Sequence, residues 1–259
     1  MPTIFNDMLS KNKIKYIRSL EQKKHRKEEN AFLAEGPKLA GDLLGHFKCK
    51  LIAGTAEWFE ANPDIRAQET IEVTREELAK ASLLKTPQDV LAVFEMPDNG
   101  IDLSVISNSL CLALDGVQDP GNLGTIIRIA DWFGIGHIFC SNDTADAFNP
   151  KAVQATMGAL ARVQLHYCNL EEIILDASEK NAPVFGTFLD GENIYTRPLS
   201  SHGIIVMGNE GKGISNEIER LVSRKLLIPN YPQGRTTSES LNVAAATAIV
   251  CAEFRRRMS

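Results

Sequence analysis

The chain has 259 residues, of which 44% are hydrophobic and 24% charged, and a net charge of −5. That is the composition of an ordinary globular protein, long enough for one large or two modest domains. The acidic balance excludes wholesale coating of nucleic acid but leaves room for a local basic patch. Cys49, Cys111, Cys140, Cys168 and Cys251 are scattered and odd in number. They read as reduced core thiols of a cytoplasmic protein, and no Cys/His pair has metal-ligand spacing. The N-terminus carries lysines without the apolar core of a secretory signal. The longest small-apolar run, Val243 to Ala252, is too short to span a bilayer.

In chain order, the first feature is electrostatic. Lys11, Lys13, Lys15, Arg18, Lys23, Lys24, Arg26 and Lys27 face a single acid, Glu21, so this segment carries +7 and the remainder −12. Ile14, Ile17 and Leu20 fall at helical spacing, which predicts an amphipathic helix with a basic face. A solvated face is the usual meaning of such a run; the acidic remainder points instead to phosphate contact. Strands are then predicted at 32–36, 49–55, 70–74 and 89–96. Helices are predicted between them, one opening at Pro37 and one at a Thr74/Glu77 capping box and running through Leu84. This makes a small α/β domain over residues 1–97. The turn-rich Pro97, Asp98, Asn99 and Gly100 open a linker over 98–106.

A second α/β domain over 107–259 follows. Strands are predicted at 109–117, 136–140, 162–166, 183–189, 203–207 and 225–230. Asp119-Pro120-Gly121-Asn122 reads as a turn before a helix over 125–133. Asn149-Pro150 opens a helix through Leu160, another covers 170–180, and a last one covers 238–250. Alternating strands and helices predict a mostly parallel sheet covered on both faces. Gly208, Gly211 and Gly213 lie in the turn after the 203–207 strand. Their order matches neither a P-loop nor the dinucleotide fingerprint.

Three stretches carry a resemblance: DGVQDPGNLGTIIR at 115–128, MGNEGKGIS at 207–215, and IPN at 228–230 followed by ESLNVAAATAI at 239–249. In this order they resemble the three motifs of the SpoU/TrmH family, RNA ribose 2′-O-methyltransferases of the SPOUT class. The N-terminal third resembles, less specifically, the ribosomal-protein-like substrate-binding domain that many members carry. The resemblance implies an α/β fold with a SPOUT-type parallel sheet and a deep C-terminal trefoil knot. It also implies a cytoplasmic homodimer acting on rRNA or tRNA with S-adenosylmethionine and no metal. Carried over by motif, the catalytic candidates are Asn122, Arg128, Glu210, Ser240 and Asn242. The donor would touch Gly208, Ile228 and Leu241, with Thr187 lining the same pocket. The RNA-facing candidates are the eight basic residues of 11–27 and Arg235, which sits in a loop longer than the family's usual link.

Bland readings stand beside these. Ile228 and Leu241 suit core packing, Ser240 and Asn242 are ordinary helix caps, and Arg128 alone would be a surface arginine. Arg128 follows Asn122 by six residues, so the two are expected to converge on one substrate. A guanidinium suits bidentate phosphate binding. Glu210 is expected to hold Arg128 or the glycine loop. No role is expected for the isolated histidines His25, His46, His137, His166 and His202. The rival function is a non-catalytic RNA-binding protein that keeps the knotted fold.

Overall fold

The basic N-terminal segment folds as two helices in the computed structural model, which describes residues 9–98, 100, 102–232, 235 and 240–257. Helix α1 (Lys11–Ser19) begins on Ser10, whose hydroxyl accepts the Lys13 N–H, and α2 (Lys23–Glu29) follows a break at 20–22. The chain continues through β1 (Ala31–Glu35), α3 (Pro37–Leu43), β2 (Cys49–Gly54), α4 (Ala56–Ala61), β3 (Glu69–Glu72), α5 (Arg75–Ala81) and β4 (Val90–Glu95). These strands form a sheet in the order β1-β4-β2-β3. β2 and β3 run parallel, and β4 is antiparallel to both of its neighbours. The spacing of Ile17 and Leu20 has its consequence here, as both are buried with Leu33, Leu51, Ile71 and Val93. The Thr74/Glu77 capping box forms as predicted, although α5 stops at Ala81.

Beyond it come α6 (Val105–Asn108), β5 (Leu110–Leu114), α7 (Pro120–Trp132), β6 (His137–Cys140), α8 (Pro150–Thr156), β7 (Gln164–Tyr167) and α9 (Leu170–Glu179). The remainder is β8 (Val184–Asn193), β9 (Gly203–Met207), α10 (Asn216–Glu219), β10 (Arg224–Leu227) and α11 (Val243–Arg256). The second sheet runs β10-β8-β9-β5-β6-β7, with every neighbouring pair parallel. Its inner strands β5 (LCLAL) and β9 (GIIVM) are buried at every residue. That is the continuous apolar pattern of a sheet covered on both faces.

Several expectations are corrected. Asp119 to Asn122 is not a turn: Asp119 caps α7 and Pro120 is its first residue. Proline is tolerated there because that N–H needs no helical partner. Helix α8 stops at Thr156, since Met157 adopts a left-handed backbone at φ 50°. The last helix starts at Val243, and Ser238 and Glu239, where its predicted span opens, lie outside the described residues. β8 reaches Asn193, but its pairing with β10 jumps from Gly186 to Glu192, so 187–191 leave the ladder. A Cβ on Gly191 would sit 2.5 Å from the Leu226 carbonyl carbon, so only glycine allows the chain to rejoin there.

Two compact units result. One comprises 9–98 together with 146–161, the other 100–145 with 162–257. The segment 146–161 therefore packs with the N-terminal sheet, against its sequence neighbours. Phe148 lies 4.9 Å, ring to ring, from Phe32 of β1.

Candidate active site

The three motif stretches meet at the carboxyl ends of the parallel strands, where open α/β sheets place their ligands. Asp119 Oδ1 accepts the Asn122 N–H at 2.8 Å, which fixes the first turn of α7. Asn122 then reaches both other motifs. Its Nδ2 donates to Glu210 Oε1 at 2.8 Å, and its Oδ1 accepts from Asn242 Nδ2 at 3.0 Å. Asn242 caps α11, its Oδ1 accepting the N–H groups of Ala244 and Ala245 at 3.0 and 3.2 Å. This network fixes both amide orientations. Backbone donors claim Asn242 Oδ1, so its Nδ2 must donate, and Glu210 offers only acceptors to Asn122 Nδ2. Glu210 therefore holds Asn122 and not Arg128.

The glycine loop is latched by residues that motif reading passed over. Asn209 and Gly213 exchange two backbone hydrogen bonds of 2.9 Å. The Asn209 side chain accepts from Gly211 N–H at 2.9 Å and Lys212 N–H at 3.1 Å, and donates to the Gly116 carbonyl at 2.7 Å. Asp115 Oδ2 accepts the Ser215 N–H at 2.7 Å. The loop is thus tied at both ends to the strand that delivers the first motif. The sequence signal was present, since an Asn or Asp beside glycine commonly binds backbone two residues on. Gly208 is required by packing, as a Cβ there would lie 2.3 Å from Gly213 and Ile214 backbone.

Thr187, Gly208 and Ile228 stand at or just past the ends of ladder pairing in β8, β9 and β10, all half-buried, and Leu241 is 49% exposed. A half-buried glycine beside partly exposed apolar residues at the strand ends fits an adenosyl donor, whose adenine needs apolar surface and backbone partners. Ser240 is exposed beside them.

Arg128 is not brought to this cluster. Because α7 begins at Pro120, six residues carry Arg128 about 240° around the helix and about 9 Å along it from Asn122. It is exposed, with no hydrogen bond or ion pair among the described residues. Trp132, one turn on and on the same face, is 84% exposed.

Of the basic N-terminal residues, Arg26 is corrected outright. It is buried, donating to Asp146 and to the carbonyls of Leu20 and Glu21, so no phosphate can reach it. Lys13 pairs with Glu69, and Arg18 donates to the Ser82 carbonyl at 2.9 Å. Lys24 lies 3.8 Å from Glu28. Lys11, Lys15, Lys23 and Lys27 are exposed and unpaired among the described residues. Arg235 is exposed, its N–H donating to the Pro232 carbonyl and its own carbonyl accepting from Asn230 Nδ2.

Two histidines are not isolated. His137 Nδ1 meets His166 Nε2 at 3.2 Å, and burial lowers the basicity of both. Burial also pushes the Cys49, Cys111 and Cys251 thiols up to about 12, away from nucleophilic use. No group of metal-ligating side chains occurs among the described residues. No described helix is long and apolar enough to cross a membrane.

Comparison with known proteins identifies the family. Residues 109–252 match the SpoU rRNA Methylase family, and 11–92 match the MRM3-like substrate binding domain. The chain is 30% identical over 94% of its length to the 23S rRNA (guanosine(2553)-2′-O)-methyltransferase RlmP of Bacillus subtilis, covering 96% of that protein. A solved structure from Porphyromonas gingivalis, assigned to the TrmH family of RNA methyltransferases, is 44% identical with a TM-score of 0.88, covering 96% of this chain and 99% of that one. The AdoMet-bound rRNA methyltransferase of Sinorhizobium meliloti is 30% identical with a TM-score of 0.83, covering 99% of each chain. This chain belongs to the SpoU rRNA methylase family.

Proposed function

We propose that this protein transfers the methyl group of S-adenosylmethionine to the 2′-hydroxyl of one ribose in large-subunit ribosomal RNA, as a cytoplasmic homodimer. The observation that carries the reading is the hydrogen-bonded set Asn242–Asn122–Glu210, which joins all three motifs at one place. The donor supplies an electrophilic methyl group. The chain's own work is to hold the hydroxyl and phosphates in line, and positioning alone supplies much of such a rate enhancement. Thr187, Gly208, Ile228 and Leu241 would hold the donor. Arg128 would bind phosphate from a second copy of the chain, which would also cover Trp132. The deep trefoil knot belongs to the same proposal. So does a division of labour between residues 1–97 and 107–259 across a linker at 98–106, supported by the two separate family matches.

The 23S rRNA activity in the names of several relatives favours ribosomal over transfer RNA. The non-catalytic alternative is disfavoured because the polar residue at each motif position is present. Methyl incorporation from labelled donor into fractionated RNA tests the reading. A 2′-O-methyl group blocks alkaline cleavage at its own linkage, so the product must be an alkali-resistant dinucleotide from ribosomal RNA. Label that alkali releases as single nucleotides, or label confined to tRNA, overturns it.

A further inference from the structure

The residue after the IPN stretch at 228–230 belongs to none of the three motifs. Tyr231 is 92% exposed, more than any other large apolar side chain described, and makes no hydrogen bond or ring contact among the described residues. Its two neighbours are both tied to Arg235. Asn230 Nδ2 donates to the Arg235 carbonyl at 3.0 Å, and the Arg235 N–H donates to the Pro232 carbonyl at 3.1 Å. The Arg235 guanidinium has no ion pair among the described residues. An exposed aromatic ring and an exposed cation are thus held together through the backbone. We propose that Tyr231 is the platform on which one unpaired base of the RNA stacks, beside the nucleotide that is methylated, with Arg235 on a neighbouring phosphate. The inference rests on the reaction class given above.

Position in the sheet argues for RNA. β10 lies two strands from β9, about 10 Å at ordinary strand spacing, and both end at the same edge. Tyr231 follows Ile228 by three residues, which span at most about 10 Å. A ribose that reaches the donor therefore brings its flanking nucleotides within reach of Tyr231. The motif residues hold donor, hydroxyl and phosphate, and backbone contacts position RNA without choosing a nucleotide. That choice falls to groups outside the motifs. RNA sequence is read mainly in single strands, whose splayed bases stack on aromatic side chains.

A second copy of the chain is the competing occupant, and Trp132 suits it better. Helix α7 runs back from the carboxyl end of β5 for 13 residues, about 18 Å, to the amino end of β6. Trp132 therefore stands at the opposite end of the strands from Tyr231. The cation beside Tyr231 also matches a phosphate chain, which a purely apolar contact would not need.

Tyr231→Ala, Tyr231→Phe and Tyr231→Trp are compared with wild type on an unmodified 23S rRNA transcript, with S-adenosylhomocysteine binding by calorimetry. Loss of a stacked base should raise KM for RNA about 5- to 150-fold in the Ala variant. Its kcat and product affinity should each change by less than about threefold, because the ring holds RNA and not the donor. Phe and Trp should stay within about threefold throughout, since any aromatic face stacks. All three should keep the wild-type salt slope of binding, whereas Arg235→Ala should flatten it by about 0.7. On synthetic fragments spanning the mapped site, an abasic residue at one flanking position should reproduce the loss. That lesion should cost nothing further in Tyr231→Ala. An Ala variant within about threefold of wild type overturns the proposal. So does a Phe variant as damaged as Ala, a loss confined to kcat, or no flanking position coupled to Tyr231. An Ala variant that unfolds or changes its oligomeric mass overturns it too, giving the ring to the fold or to a second copy. A wild-type enzyme that methylates no RNA would instead sink the reaction class, and the platform with it.

Discussion

Arg26 reaches across 120 residues of chain to grip Asp146, with Nη2 at 2.6 Å and Nε at 3.2 Å from the same carboxylate oxygen. Its Nη1 donates to the carbonyls of Leu20 and Glu21, each at 2.7 Å. The break between α1 and α2 is therefore closed by an arginine that supplies the hydrogen bonds the helices leave unmade.

Removing one partner should be costly, because it strands a charge and two carbonyls together. Arg26→Met should lower the stability of the N-terminal unit by about 3 kcal/mol, read from urea unfolding. Arg26→Lys should rescue little, since an ammonium cannot reproduce the planar fork. Wild-type stability in the Met variant would show the pair to be dispensable.

Legibility from sequence followed the range of the signal. Short-range chemistry was readable, as in the Thr74/Glu77 box and the buried runs at 110–114 and 203–207. The motif residues Asn122, Glu210 and Asn242 were identified by resemblance, and the structure links them directly. Long-range choices were hidden. Arg26 looked like its exposed neighbours because nothing local marks Asp146 as its partner. The Asp-Pro-Gly-Asn run carries both turn and helix-start chemistry, and Asp119 capping α7 decided between them. The same ambiguity placed Arg128 beside Asn122. Once the helix starts at Pro120, the 3.6-residue repeat sends the two side chains to different faces.

The basic patch is smaller than its charge count suggests. Reversing Lys11, Lys15, Lys23 and Lys27 to Glu should weaken RNA binding and flatten its salt dependence. Each lost phosphate contact should reduce the slope of log K against log salt by about 0.7 to 0.9. The methylated nucleotide should stay the same at saturating enzyme, because phosphate contacts position without specifying. A shifted methylation site would assign these lysines a part in recognition. Filter binding across a salt series, with site mapping, reads both quantities.

The C-terminal helix is held by a carboxylate with an unusual titration. Glu253 accepts two hydrogen bonds from Arg256 at 2.8 Å and one from Arg257 at 2.7 Å. Arg256, with Arg257 adding, holds its carboxyl down to about 2 from an ordinary 4.5. Arg257 also donates to the Arg197 carbonyl at 2.9 Å, tying α11 to the chain after β8. A depressed folded-state pKa stabilises above the unfolded value and is lost as pH falls through the folded one. Glu253→Gln should therefore lower Tm at pH 7. Its difference from wild type should shrink as pH drops from 4.5 toward 2. A difference independent of pH over that window would contradict the assignment.

The placement of Arg128 decides how many chains make one site. In one chain it lies about 240° around α7 from Asn122, so a second copy must supply it if it acts in catalysis. A two-fold dimer presents the same surface twice and would build two equivalent shared sites. Arg128→Ala and Asn242→Ala should each be inactive, the latter also losing a helix cap worth about 1 kcal/mol, so its fold is checked by circular dichroism. In a mixed dimer, one site then carries both lesions and the other carries neither. Equal mixing with free exchange gives mixed dimers half the time, so activity should return to roughly a quarter of normal. If both residues served the same chain's site, every site would keep one lesion and mixing would restore nothing. Exchange is followed independently by mass-tagged subunits. No recovery in a fully exchanged sample would reject the shared site and return Arg128 to the surface.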